Sequence, residues 1–219
     1  MATGEGSVLR TLVIVALVAT GAALLVSTSY DFSKGRIAAN ERARLLARLD
    51  SVLDPALRGR DLTTVRFTVT DRTLLGSEAP VDVFVATDAG QPVAVIIASV
   101  APDGYNAPIK LLIGLTSTGT VTGVRAVSHR ETPGLGDEID TTQSDWIKQF
   151  DGTSLTMPEL SGWAVTKDDG HFDSITGATV TSRAVVKAVK NTLLYFTQHR
   201  DELFAQASRT ADLDHADDN

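Results

Sequence analysis

The apolar positions of this chain change their period several times, and each change marks an element. From Thr11 to Tyr30 there is no charged residue, and the runs Leu12 to Val18 and Ala22 to Val26 are apolar on every face. A helix needs about 20 residues to cross the hydrocarbon core of a bilayer. Residues 11–30 therefore predict a transmembrane anchor behind a short segment over residues 1–10. Ser27 and Ser29 would also suit cleavage of a signal peptide, but the apolar run is long for one. Residues 31–62 form the next segment, and within it the period over 34–54 becomes helical and one-sided. Leu45, Leu46, Leu49, Val52 and Leu53 form a stripe, Arg42, Arg44 and Arg48 fall largely off it, and Pro55 marks the end. A stalk leading from the membrane and a helix packed on a domain fit this pattern equally.

A strand-like period follows over 64–128. Val81, Val83 and Val85 alternate with Asp82, Phe84 and Ala86, as in a strand with one favoured face. Asp88-Ala89-Gly90 is a turn, and Pro92 to Val100 is a β-branched run, so the two segments predict a hairpin. Ile109–Leu115 and Val121–Val127 repeat the arrangement around Ser117-Thr118-Gly119. The turn cluster Asp103-Gly104-Tyr105-Asn106 separates the hairpins. The middle of the chain is thus an antiparallel sheet. A Gly- and Pro-rich loop leaves it at Ser128–Glu138, and a helical turn is expected at Trp146–Phe150. Residues 151–172 read mainly as loop, with a short strand candidate at Trp163–Thr166 and a turn at Lys167–Gly170. A helix is expected from Ser182 to about Ser208, with Val185, Val186, Val189, Leu193 and Phe196 on one face. The acidic residues 209–219 read as a disordered tail. The fold class is α+β, with the globular domain over 63–208.

Composition narrows the chemistry. The net charge of −7 argues against a nucleic-acid surface. The absence of cysteine excludes disulfides, thiolate-bound metal and thiol catalysis. His129, His171, His199 and His215 have no metal-ligand spacing, so no metal site is expected. There is no nucleophile elbow and no phosphate-binding P-loop, and Gly134-Leu135-Gly136 lacks the third glycine of a dinucleotide fingerprint. No catalytic residue set emerges.

The stretch Asp173-Ser174-Ile175-Thr176-Gly177-Ala178-Thr179-Val180-Thr181-Ser182 sits directly before the helical pattern. Locally it has two readings. Thr181 or Ser182 caps the helix after a turn at Gly177, or the free N–H groups and positive dipole end of the helix receive a phosphate.

Several segments, in order behind one apolar span, carry a resemblance. They are Asp103-Gly104-Tyr105, His129-Arg130-Glu131-Thr132-Pro133-Gly134-Leu135-Gly136-Asp137, Trp146-Ile147, Asp169-Gly170-His171-Phe172-Asp173 and Thr176-Gly177-Ala178-Thr179-Val180-Thr181-Ser182. With them the chain resembles the G subunits of the Rnf-type (Rsx-type) electron-transport complexes over nearly its whole length. The resemblance implies a single transmembrane helix followed by an FMN-binding domain with an antiparallel sheet and flanking helices. It implies covalent FMN on Thr179 through a phosphoester bond, installed from FAD by a separate flavin transferase. That transferase would recognise Asp173 together with Thr176, Gly177, Ala178 and Thr179; serine is commoner at the position of Thr176, and both residues occur there. The hydroxyl of Thr181 and the backbone N–H groups around Val180 to Ser182 would solvate the phosphate, and Arg183 would add charge. Glu131, Thr132, Leu135 and Gly136 would approach the isoalloxazine.

The function implied is that of an electron carrier in a redox-driven ion-translocating complex, passing electrons between membrane-embedded flavin and iron–sulfur subunits. Its partners would be the other subunits, the flavin transferase and the membrane, with no nucleic acid. The resemblance places the soluble domain on the periplasmic side of the bacterial inner membrane and residues 1–10 on the cytoplasmic side. The charges point the other way: Lys34, Arg36, Arg42 and Arg44 follow the span, against Arg10 before it, and a positive-inside count assigns that side to the cytoplasm. Two other readings share the attachment motif or the domain. One is the C subunit of a sodium-translocating NADH:quinone reductase, which is usually longer before the motif. The other is a membrane-anchored flavin sensor. A structural anchor without flavin is a further reading.

Overall fold

The computed structural model describes residues 14–16, 19–20, 46–57, 63–88 and 90–217. The chain divides into two compact units, Met1–Ala47 and Arg48–Asn219. In the first, residues 14–16 and 19–20 are helical. The anchor expected over 11–30, and residues 31–45 and 58–62 of the expected stalk, lie largely or wholly outside the described residues. Among the described residues no helix is long and apolar enough to cross a membrane.

The second unit is built on a five-stranded antiparallel meander in the order β1 (Thr63–Asp71), β2 (Ser77–Asp88), β3 (Gln91–Ala101), β4 (Ile109–Thr116) and β5 (Val121–Ser128). Successive side chains of a strand point to opposite faces, and the register turns that into rows. Val65, Val85, Val95 and Leu115 lie side by side across four strands, and so do Phe67, Val83, Ile97 and Ile113. These rows are buried under the long C-terminal helix Thr179–Asp217, which contributes Val185, Val186, Val189, Leu193 and Phe196 to the same core. Each such side chain removed from water is worth about 1.5–3 kcal/mol, so the helix and the sheet hold each other.

The opposite face is buried as well, which differs from the one-faced strand expected at 81–86. Phe84, Ala86, Ile96 and Leu112 are all nearly inaccessible. Part of this face carries the segment at residues 48–53, whose Leu49, Val52 and Leu53 are buried. It lies against the sheet at Gly114, where a Cβ would stand 2.1 Å from the Val52 carbonyl oxygen. The Thr122 hydroxyl donates to that same oxygen at 2.6 Å. This part of the expected amphipathic helix is therefore a packing element of the domain, helical over residues 46–52; Leu46, on the expected stripe, is exposed.

Beyond β5 the chain runs through 3-10 turns at Gly136–Ile139, Trp146–Phe150, Leu160–Gly162 and Thr166–Asp168. The strand expected at Trp163–Thr166 is reduced to a single parallel bridge between Val165 and Phe172. Phe150, Trp163 and Phe172 pack on one another with centroids 4.7–6.4 Å apart, and this aromatic cluster holds the turns onto the end of the sheet. The C-terminal helix begins at Thr179 rather than Ser182 and continues to Asp217. It passes Ser208 because its buried stripe continues through Leu203 and Ala207 to Ala211, so the segment expected as a disordered tail starts as helix.

Candidate functional site

Two segments far apart in sequence meet at the start of the C-terminal helix. One is the loop leaving β5, with Glu131, Thr132, Leu135 and Gly136. The other is the turn and first helical residues Gly177, Ala178, Thr179, Val180 and Thr181. With Tyr105 they line a cavity of about 450 Å³. Small-molecule sites usually measure about 300–1,000 Å³. Gly177 makes the turn into the helix with φ +81°, a left-handed conformation that a side chain resists.

The floor of the cavity is a buried polar pair. Glu131 is 5% exposed and Thr181 is 1% exposed. The Thr181 hydroxyl donates to one Glu131 carboxylate oxygen, and the Asn106 backbone N–H donates to the other at 3.2 Å. The Asn106 side-chain amide also donates to the Thr132 hydroxyl at 3.2 Å. Gly136 is what lets the loop come this close, since a Cβ there would stand 3.0 Å from Glu131 Oε2 and 3.1 Å from Thr181 Oγ1.

Above the floor, Thr179 is the first residue of the helix, where the initial N–H groups have no intrahelical acceptor. Its hydroxyl accepts a hydrogen bond from Lys167 Nζ at 2.8 Å. Lys167 belongs to the Thr166–Asp168 turn, and the next residue ties that turn to the helix. Asp168 accepts two hydrogen bonds of 2.6 Å from Arg183. These hydrogen bonds, with the guanidinium charge adding to them, hold the Asp168 carboxyl below its ordinary pKa and raise that of Arg183. Around the mouth, Tyr105, Leu135 and Val180 are exposed.

The expected site residues divide accordingly. Glu131, Thr132, Leu135, Gly136, Gly177, Ala178, Thr179 and Thr181 share the cavity. Thr176 and Asp173 are exposed beside it. Asp173 is held through its backbone, whose N–H donates to Gln149 Oε1 at 2.7 Å and whose carbonyl accepts from Trp146 Nε1 at 2.8 Å. Ser182 lies beneath, fully buried, accepting from the Ile175 N–H at 3.0 Å and donating to the Ala178 carbonyl. Neither Thr181 nor Ser182 precedes the helix as a cap: both lie inside it, and Ser182 ties down the turn from within. Two expected phosphate donors are otherwise engaged. The one proton of the Thr181 hydroxyl goes to Glu131, and Arg183 is turned onto Asp168. Sequence reasoning misses Lys167, Asn106, Tyr105 and the side chain of Val180 as site residues. Tyr105 and Asn106 at least sit in a turn cluster, whereas nothing in the spacing from Lys167 to Thr179 links them.

Comparison with known proteins bears on this region. Residues 104–194, from the Tyr105 turn to the fifth turn of the helix, match the family model described as "FMN-binding domain". The chain is 41% identical over 194 residues, 89% of its length and 90% of the other, to the G subunit of the ion-translocating oxidoreductase complex of Shewanella baltica (strain OS223). It is 43% identical over 196 residues to the protein of that name from Vibrio vulnificus (strain YJ016), covering 90% of this chain and 91% of the other. To that from Pseudoalteromonas atlantica it is 42% identical over 184 residues, with 84% and 86% covered.

Proposed function

Because the chain belongs to the family of G subunits of ion-translocating oxidoreductase complexes, we propose that it is the electron-carrying subunit of such a complex and holds FMN as a phosphoester on Thr179. The observation that carries this reading is the meeting of the Thr179 hydroxyl, a lysine ammonium and a helix N-terminus at the rim of one cavity. The residues suit the cofactor. The Thr179 end offers a cation and free backbone N–H groups to a phosphate. The cavity offers Leu135, Tyr105 and Val180 as apolar walls for a ring system and Thr132 and Glu131 as polar contacts. Bound there, FMN would supply the electron transfer, which no side chain of this protein performs.

The chain's own residues bind and shield. The Glu131–Thr181 pair closes the floor, Asn106 fixes the loop that carries it, and Ser182 fixes the turn that presents Thr179. A covalent bond keeps the carrier in place on a face open to redox partners. The partners in this reading are the other subunits and, during maturation, a flavin transferase that reads Asp173 to Thr179. The N-terminal apolar stretch anchors the chain in the inner membrane with the flavin domain on the periplasmic side.

The test is to express the full chain with and without a flavin transferase and to look for a fluorescent flavin band on a denaturing gel. A band is expected only with the transferase, and Thr179→Ala should abolish it. A band that survives in Thr179→Ala would refute the attachment site.

A further inference from the structure

We propose that Lys167 is the phosphate-holding residue of the attachment site, positioned in advance on the oxygen that becomes the ester. This rests on the reading of Thr179 as the attachment point. It adds a residue that neither motif spacing nor the cavity lining assigns.

The geometry is a two-rung clamp. Thr179 and Arg183 are four residues apart on one helix and so share a face. Lys167 and Asp168 are neighbours in the turn that packs against that face, and each meets one of the two: Nζ to Thr179 Oγ1 at 2.8 Å, and Asp168 to Arg183 through two bonds of 2.6 Å. The turn is itself fixed from behind. The Thr166 N–H donates to the Phe172 carbonyl at 2.7 Å, and the Gly170 N–H donates to the Val165 carbonyl at 3.0 Å.

The charges sort themselves along the clamp. Asp168 neutralises Arg183, while Lys167 has no carboxylate partner among the described residues. The positive charge left at this end of the helix is thus the one that touches Thr179, added to the positive end of the helix dipole. An ammonium with no carboxylate partner among the described residues, resting on a hydroxyl, is arranged for an anion that arrives at that hydroxyl.

The chemistry is consistent with this placement. A threonine oxygen has two lone pairs and one proton. Lys167 takes one lone pair as a donor, which leaves the other as nucleophile and the proton free to be removed. On transfer, the Thr179 Oγ1–phosphorus bond forms and the pyrophosphate oxygen–phosphorus bond of a flavin dinucleotide breaks. The nucleoside monophosphate leaves, and the hydroxyl proton passes to a base of the transferase. No electrons are exchanged, and Lys167 keeps its protons throughout. Its ammonium stabilises the negative charge on the phosphoryl oxygens and afterwards stands beside an anionic phosphodiester.

The experiment measures the rate at which full-length chain acquires fluorescent flavin from purified transferase and FAD, in wild type, Thr179→Ala, Lys167→Gln and Lys167→Arg, with a thermal melt of each. Loss of a hydrogen bond to a charged group should slow labelling of the Gln variant about tenfold or more. The Arg variant should recover most of the rate, and the exposed position of Lys167 should leave all melting points close to wild type. Labelling of Lys167→Gln at the wild-type rate overturns the inference while leaving Thr179 intact. So does an Arg variant as slow as Gln, which would show that the charge is not what matters. Should the Gln variant fail to melt cooperatively, Lys167→Met, which keeps the aliphatic stem, takes its place in the same comparison. An unlabelled wild type, or a labelled Thr179→Ala, overturns the attachment reading itself and the inference with it.

Discussion

Glu131 has a carboxylate buried at 5% exposure with two donors and no cation among its described contacts. A buried polar group is tolerable only where its hydrogen bonds are made. Thr181→Val removes the hydroxyl and keeps the shape, so it should destabilise the domain by about 1–3 kcal/mol in urea unfolding. Thr181→Ser, which keeps the donor, should stay near wild type. Equal losses in Val and Ser would mean that packing, and not the hydrogen bond, is at stake. The Asp168–Arg183 pair works differently, because it is exposed and its effect lies in titration. Its hydrogen bonds and charge depress the Asp168 pKa. A depressed carboxylate contributes stability above its unfolded value, about 3.9, and loses it as pH falls through the lower folded value. The clamp on the Thr179 turn should therefore persist throughout the neutral range and weaken only as pH falls below the ordinary carboxylate range. Arg183→Gln should return Asp168 to the ordinary carboxylate range, as followed by NMR of its side-chain carboxyl carbon.

At the scale of elements, what is legible in the sequence is what is local. The hairpins 81–100 and 109–127 stand out as β-branched runs between turn residues. β1 alternates as cleanly, with Val65, Phe67 and Val69 against Thr64, Arg66 and Thr68, yet its membership of the sheet is decided by pairing with β2, which is not a local property. The same holds for the second buried face. Nothing in the period of β4 says that residues 48–53 will pack on it; the approach depends on Gly114 lying beneath Val52. Gly114→Ala would force a Cβ to 2.1 Å from the Val52 carbonyl. The segment must then lift from the sheet, at a cost of about 1–3 kcal/mol or more. Limited proteolysis should find residues 48–57 cut faster in this variant, with the sheet still folded by circular dichroism. The start of the C-terminal helix escapes local reading for a related reason: Ser182 has the composition of a cap, but its hydroxyl reaches back to Ile175 from inside the helix.

At the scale of the whole molecule, the site brings a loop at 131–136 together with a turn at 177–181 and a lysine at 167, and no single window of sequence contains that meeting. The ordered motifs point to the loop and the turn. They pass over Lys167, whose importance comes only from the turn that folds onto the helix. Orientation in the membrane is the other property that belongs to the entire chain, and there two arguments oppose each other. The positive residues Lys34, Arg36, Arg42 and Arg44 assign the domain to the cytoplasm by charge count. The periplasmic side proposed above rests instead on the resemblance to the Rnf-type G subunits. Charge counts apply to extended flanks and lose force where arginines belong to folded structure. Arg48, which follows the four counted residues, lies on the helical segment whose Leu49 and Val52 pack on the sheet; the four themselves lie outside the described residues. The chain has no cysteine, so one introduced thiol reports without background. Ser208 is an exposed residue of the C-terminal helix, and Ser208→Cys changes its volume little. In intact spheroplasts a membrane-impermeant maleimide should label this variant fully, with no gain on lysis. Labelling that appears only after lysis would place the flavin domain in the cytoplasm and show that the arginines, not the family, decide the topology.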